Sequence, residues 1–327
     1  MSPELQSAFR PAAVIPCYNH PKTVGKVAAA LRRLGLPVLL VNDGSNAETR
    51  AVLDALAQAD SGIMVIHRPE NGGKGAACLS GFRAAAKRGF THVLQVDADA
   101  QHDLSEIPNF LRIAQNQPKC LVCGYPIYDE TVPKARLLGR KITNFWVSVN
   151  GLTLGVEDAM CGLRVYPVAA LERLRGVRMG QRMDFDPEIL VRLLWLPVTV
   201  RNVPVHVTYP ADSVSHFDMV DDNVRISLMH ARLCCGMLLR LPVLCANCVS
   251  PSPEPIRDPE DRSLVSARRM HVGRGDPLSP CRSPSFRTRP LSGGACARFA
   301  LLLGDAAGPA PHVLCVARRS GPSRRAP

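Results

Sequence analysis

Thr91-His-Val-Leu-Gln-Val96, an apolar and β-branched run, passes directly into Asp97-Ala-Asp99-Ala-Gln101-His102. The run has the composition of a buried strand. Two carboxylates spaced i, i+2 at a strand's end converge on one hard cation when the backbone turns there. Gln101 adds a neutral oxygen, and a diphosphate can complete the set. Oxygen ligands shared with substrate phosphates suit Mg²⁺ or Mn²⁺. An isolated Asp-x-Asp is more often a solvated loop, so the weight falls on its neighbours.

Upstream, the chain alternates between apolar runs and helical spacing. Residues 12–17 form a first strand that ends in Tyr18-Asn19-His20, and helical spacing follows over 21–34 as far as Gly35. Pro37-Val-Leu-Leu-Val41 is a second strand, followed by Asn42-Asp43-Gly44-Ser45-Asn46 and a helix over 47–58. Gly62-Ile-Met-Val-Ile-His67 is a third, and Asn71-Gly-Gly-Lys74-Gly75 opens the next helix. Strands alternating with helices imply an α/β fold with a parallel sheet covered on both faces. Ligands in such sheets bind beyond the carboxyl ends of the strands. Tyr18 and Asn19, Asp43, Lys74, and Asp97 with Asp99 all fall there. Pattern alone therefore points to a nucleotide-phosphate site with a divalent metal. A P-loop is excluded because Gly75, not Ser or Thr, follows Lys74. A dinucleotide fingerprint is excluded because the first strand ends without glycines.

Ile15-Pro16-Cys-Tyr18-Asn19, Val41-Asn-Asp43-Gly44-Ser45, Asn71-Gly-Gly-Lys74-Gly75 and Asp97-Ala-Asp99-Ala-Gln101-His102 resemble, in order and spacing, the motifs of family 2 glycosyltransferases. Dolichyl- and polyprenyl-phosphate sugar synthases and their bacterial relatives are the most similar branch. The resemblance continues through Asp158-Ala-Met-Cys-Gly-Leu-Arg164, Phe185-Asp186-Pro-Glu188 and Ser215-His216-Phe217, covering about residues 12–242. It implies a GT-A fold with a mostly parallel central sheet, a UDP- or GDP-linked sugar donor, and Mg²⁺ or Mn²⁺. By the same resemblance, Pro16, Tyr18, Asn19, Asp43, Gly44, Lys74 and Asp97 serve the donor. Asp97, Asp99 and Gln101 serve the metal, and Arg164, Ser215 and His216 lie on the acceptor side. Asp186 matches the family's catalytic carboxylate, with Asp184 as a second candidate and Glu188 as a partner. The implied reaction is hexose transfer with inversion to a lipid-linked or polyprenyl-phosphate acceptor, in cell-envelope glycan or glycolipid synthesis. The alternatives are a sugar nucleotidyltransferase of related fold and an inactive nucleotide-sugar-binding protein.

Several of these residues have a second role open to them at this level. Asp43 sits in an Asn-Asp-Gly turn. The Arg164 fork suits a phosphate but also a structural pairing. Asp184 and Asp186 precede a helix expected over Pro187–Leu196, whose N-terminus favours negative charge. A helix over Leu137–Leu154 is amphipathic. The stretch 219–245 sets Met229, Leu233, Met237, Leu238 and Leu241 beside Arg225, His230, Arg232 and Arg240. That pattern fits either a packed terminal helix or contact with an anionic membrane.

The formal charge of +12 is unevenly spread. Residues 1–245 carry 27 basic and 22 acidic side chains, whereas residues 246–327 carry 13 Arg, no Lys and 6 acids. The modest surplus of the body suits diphosphates and anionic headgroups, and no nucleic-acid partner is expected. Residues 1–245 are expected to form the catalytic domain. The Pro-, Ser- and Arg-rich stretch 246–327 is expected to be an unstructured tail or the product of a frameshift. Most of the 12 cysteines read as buried thiols of a reducing compartment. Cys120 and Cys123, three apart on a strand, should point to opposite faces. Met1–Arg10 lacks the apolar core of a signal peptide, and no stretch of about 18 apolar residues calls for a membrane span. The expected location is the cytoplasmic face of a membrane, held peripherally.

Overall fold

The computed structural model describes residues 9–128, 134–208, 218 and 220–249. The expected tail from residue 250 onward, and Ser215 and His216, lie outside them, while residues 246–249 continue the last helix. The first half alternates as its periodicity requires: β1 (Pro11–Cys17), α1 (Val24–Arg33), β2 (Val38–Asp43), α2 (Ala47–Ala59), β3 (Ile63–Arg68), α3 (Lys74–Lys87), β4 (His92–Gln95) and α4 (Ile107–Asn116). The second half contains β5 (Cys120–Tyr128), α5 (Lys134–Gly151), β6 (Arg164–Pro167), α6 (Val168–Arg173), α7 (Phe185–Leu194), β7 (Thr199–Val207) and α8 (Asp221–Val249). The seven strands make one sheet in the order β3-β2-β1-β4-β6-β5-β7. All pairings are parallel except those of β6, which runs against both β4 and β5. The sheet is thus mostly parallel, with one reversed strand at its centre.

Alternation along the strands divides the core into two layers. Ala12 and Val14, Leu39 and Val41, and Leu121 and Cys123 face the layer under α3 and α7. Ala13 and Ile15, Val38 and Leu40, and Cys120 and Val122 face the opposite layer with α1 and α4. Cys120 and Cys123 therefore do point to opposite faces. A sheet buried on both sides explains why its strands read as unbroken apolar runs. Each fully buried Leu or Ile contributes roughly 1.5–3 kcal/mol over exposure, so this double core fixes the strand ends firmly.

Two helix boundaries differ from expectation. α5 begins and ends three residues before the span read from its periodicity. α7 begins at Phe185, two residues early, so Asp186 and Glu188 lie inside its first turn. Pro187 is tolerated there because the first N–H groups of a helix have no intrahelical acceptor to lose.

Candidate active site

The loops after β1, β2 and β3 are tied to one another at the carboxyl rim. Asn19 adopts the left-handed conformation, with φ 56°. Its N–H donates to Ser45 Oγ at 3.1 Å, and its Oδ1 accepts from the Asn46 N–H at 2.9 Å. Gly44, at φ +65°, passes so close to the next loop that a Cβ would lie 2.5 Å from Asn71 N. Pro16 and Tyr18 are half-buried beside these loops. Asp43 is turned inward. It is 2% exposed and accepts from the Gly72 and Gly73 N–H groups at 3.1 and 2.8 Å and from Arg68. Its carboxylate holds the glycine loop. An open cleft beside it is lined by Asn42, Gly44, Ser45, Arg50, His67 and Arg68. Of these, Arg50, His67 and Arg68 were missed from sequence; the Arg68-Pro69 step closing the third strand was the available signal.

The glycine loop delivers Lys74 as the first residue of α3. Gly73, at φ +92°, has no room for a Cβ, which would sit 2.5 Å from the Gln181 carbonyl oxygen. That carbonyl accepts from the Gly75 and Ala76 N–H groups at 2.8 and 3.2 Å, so the turn before α7 closes the free end of α3. Lys74 Nζ then lies 2.8 Å from Asp97 Oδ1 and 2.8 Å from Asp186 Oδ2. Burial alone would lower its pKa, but the Asp186 and Asp97 carboxylates outweigh burial and hold the ammonium well above its ordinary value. Burial would raise Asp97, and Lys74 with His102 reverses that and holds it below the ordinary carboxylate range.

Asp97 and Asp99 share one turn, in which Ala100 has φ 59°. The turn is fastened to the end of β7: Thr208 N–H donates to the Gln101 carbonyl at 3.0 Å and Asp103 N–H to the His206 carbonyl at 2.9 Å. Gln101 N–H donates to Asp99 Oδ1 at 3.1 Å. Burial and repulsion from Asp97 raise the pKa of Asp99. Among the described residues no three His, Cys, Asp or Glu gather as a closed cage. The expected metal set of Asp97, Asp99 and Gln101 thus rests on residue type and on the turn that Asp97 and Asp99 share. Oxygen donors of these types fit Mg²⁺ or Mn²⁺ whose remaining ligands come from phosphates.

The second half brings Asp186 to this point. Asp186 is 5% exposed, and its Oδ1 accepts from Gln95 Nε2 at 2.9 Å. Asp184 accepts from the Arg182 N–H at 3.1 Å within its own turn and makes no side-chain cap to α7. Its carboxylate shapes the turn that closes α3. Arg164 is wholly buried, donating to the carbonyls of Asp186 at 2.7 Å and Ala159 at 2.6 Å. Because β6 runs backward, its first residue lies at rim level but beneath α7. Arg164 thus supports Asp186 from below and has no exposed surface for an acceptor phosphate. Glu188, fully buried, accepts from Gly180 N–H, Arg192 and Arg232, joining α7 to α8. Gln95 and Tyr166 were not anticipated as part of the site. A glutamine inside a buried strand was the visible sign of the first.

Residues 12–174 match the family model for glycosyl transferase family 2. Polyprenol monophosphomannose synthase of Mycolicibacterium smegmatis is 32% identical over 173 residues, 50% of this chain and 64% of that protein. Undecaprenyl-phosphate mannosyltransferase of Micrococcus luteus is 28% identical over 177 residues, 51% of this chain and 70% of its own. A dolichyl-phosphate beta-glucosyltransferase of Trichomonas vaginalis is 29% identical over 198 residues, 54% of this chain and 59% of its own. The chain thus spans under two thirds of the mycobacterial and trichomonad proteins. With the ordered motifs, the strand order and the Lys74-centred rim, the match identifies residues 12–174 as a glycosyl transferase family 2 domain.

Proposed function

We propose that this glycosyltransferase moves a hexose from a UDP- or GDP-linked donor to a polyprenyl-phosphate-type lipid, with inversion at the anomeric carbon. The observation that carries this is the position of Lys74 Nζ, 2.8 Å from a carboxylate oxygen of both Asp97 and Asp186. One cation joins the Asp-x-Asp turn to the acceptor-side helix, where donor diphosphate and acceptor must meet. Asp99 and Gln101, with Asp97, would hold the Mg²⁺ or Mn²⁺, which when bound supplies Lewis-acid stabilisation of a departing diphosphate. Lys74 adds a fixed positive charge at the same place, of most use where charge develops during reaction.

A phosphate acceptor fits the state of Asp186. Asp186 is 5% exposed and its carboxylate is engaged by Gln95 and Lys74, which suits an anchor for Lys74 better than a base open to a hydroxyl acceptor. A lipid phosphate is already an anion and needs no proton removed. The names of the relatives, a polyprenol monophosphomannose synthase and an undecaprenyl-phosphate mannosyltransferase, support the same class.

Lipid acceptors also account for an exposed apolar stripe. Leu138, Ile142 and Phe145 on α5 are 61%, 53% and 61% exposed at helical spacing, with Lys141 beside them. Such a face suits peripheral contact with an anionic leaflet, which we assign to the cytoplasmic side. Among the described residues no helix is long and apolar enough to cross a membrane.

The test is a panel of labelled UDP- and GDP-hexoses with a polyprenyl phosphate and Mn²⁺. Sugar transfer to the lipid phosphate from one donor class, abolished by EDTA, is expected. Release of sugar 1-phosphate and a nucleoside triphosphate on addition of pyrophosphate would instead identify a nucleotidyltransferase.

A further inference from the structure

We propose that Gln95, with Tyr166 behind it, is a positioning residue for Asp186 and, through Asp186, for the ammonium group of Lys74. This rests on the role given to Asp186 above. Gln95 is fully buried in β4, on the sheet face that packs under α3 and α7. An amide there is costly unless its polar atoms are paired, and two residues upstream on the same face Val93 packs as ordinary core. Gln95 Nε2 donates to Asp186 Oδ1 at 2.9 Å, and Gln95 Oε1 accepts from the Tyr166 hydroxyl at 3.2 Å.

Tyr166 fixes which way the amide faces. Burial pushes its phenol well above the ordinary value, so the hydroxyl stays protonated and donates. The oxygen end of the amide is thereby held toward Tyr166 and the NH₂ end toward the carboxylate; the reverse orientation would set oxygen against oxygen. The strand register adds a second hold on the same residue. Gln95 is paired across β4 and β6 with Arg164, whose Nη1 donates to the Asp186 carbonyl oxygen at 2.7 Å. Two cross-strand neighbours thus grip Asp186, one by its carboxylate and one by its backbone. Lys74, bonded to the other carboxylate oxygen, takes its position from that grip.

The test compares Gln95→Met, Tyr166→Phe, Asp186→Asn and the double variant Gln95→Met/Asp186→Asn in the full chain. Single-turnover transfer and donor affinity are measured separately, with GDP- or UDP-hexose as probe. A lost buried hydrogen bond to a charged group predicts a roughly tenfold to hundredfold slower transfer for Gln95→Met. Donor affinity should stay unchanged, a split that a merely loosened fold would not give. Tyr166→Phe should show a smaller loss of the same kind. The double variant should be no slower than the slower single, since both act on one carboxylate. Normal transfer by Gln95→Met beside a slow Asp186→Asn overturns the inference and leaves the Asp186 role standing. Multiplying effects in the double variant also overturn it, because Gln95 would then act elsewhere. Normal transfer by Asp186→Asn removes the Asp186 role itself, and with it this inference. Should Gln95→Met not fold, Tyr166→Phe, which keeps the ring and its packing, carries the test under the same outcomes.

Discussion

The donor-side half of the molecule and its acceptor-side half build one site by different means. In the first, β1 to β4 are parallel, and site residues sit at a strand's last residue or in the loop just after it, as with Asn19, Asp43 and Asp97. In the second, a reversed strand and a helix start do the work: Arg164 on β6, with Gln95 reaching across from β4, acts from below the surface on Asp186. The family match ends at residue 174, before Asp186. Parallel strand ends keep function local in sequence. An antiparallel insertion moves it into long-range contacts between buried groups.

The contrast is sharpest at Lys74, which belongs to the first half and pairs with both. Lys74→Met would leave the buried Asp186 and the partly buried Asp97 without their shared cation. Breaking a buried pair in this way costs about 3–5 kcal/mol, so the variant should melt well below wild type and transfer no measurable sugar. Near-normal melting would show that the halves are not joined through this residue. Asp99→Asn tests the donor half alone. Loss of one hard ligand should slow Mn²⁺-dependent transfer on the order of a hundredfold or more while leaving the fold intact. Retained turnover would remove Asp99 from the metal site.

Much of the donor half was legible because each signal was local. An apolar run, a turn and a polar cluster sufficed to place Asn19, Lys74, Asp97 and Asp99 on one rim. The acceptor half was not, for reasons of burial and distance. Arg164 reads as a phosphate ligand by type, but no local pattern tells that α7 covers it. Asp184 lies two residues from Asp186, yet the turn at residues 180–184 folds its carboxylate back on its own backbone. The partner of Gln95 lies 91 residues away. Sequence alone places the start of α7 at Pro187, two residues late, because proline favours a first helical position, although a third-position proline is equally free of helical hydrogen bonding.

Smaller effects sharpen the comparison further. Glu188→Gln keeps an acceptor for Gly180 but removes the charge that holds Arg192 and Arg232. Arg232 is 54% exposed, so its share is screened by solvent, and a total loss of about 1–3 kcal/mol in chemical denaturation is expected. A larger loss would make the α7–α8 junction as critical as the Lys74 centre. The smallest effect is assigned to the chain's end. Its composition offers too little apolar surface to offset ordering entropy, so deleting residues 250–327 should leave melting and donor affinity unchanged. A truncated protein that melts earlier would make the tail part of the acceptor half.

The central claim is that both halves meet to glycosylate an anionic lipid, with Asp186 anchoring Lys74 and not acting as a base. Single-turnover transfer by Asp186→Asn, with polyprenyl phosphate and with the corresponding neutral alcohol as acceptors, tests it most directly. The account predicts transfer to the phosphate by wild type, little or none to the alcohol, and a roughly tenfold to hundredfold loss in the variant, as for one charge-assisted hydrogen bond. Preferred transfer to the alcohol, lost up to ten-thousandfold in Asp186→Asn as removal of a positioned base entails, would contradict it.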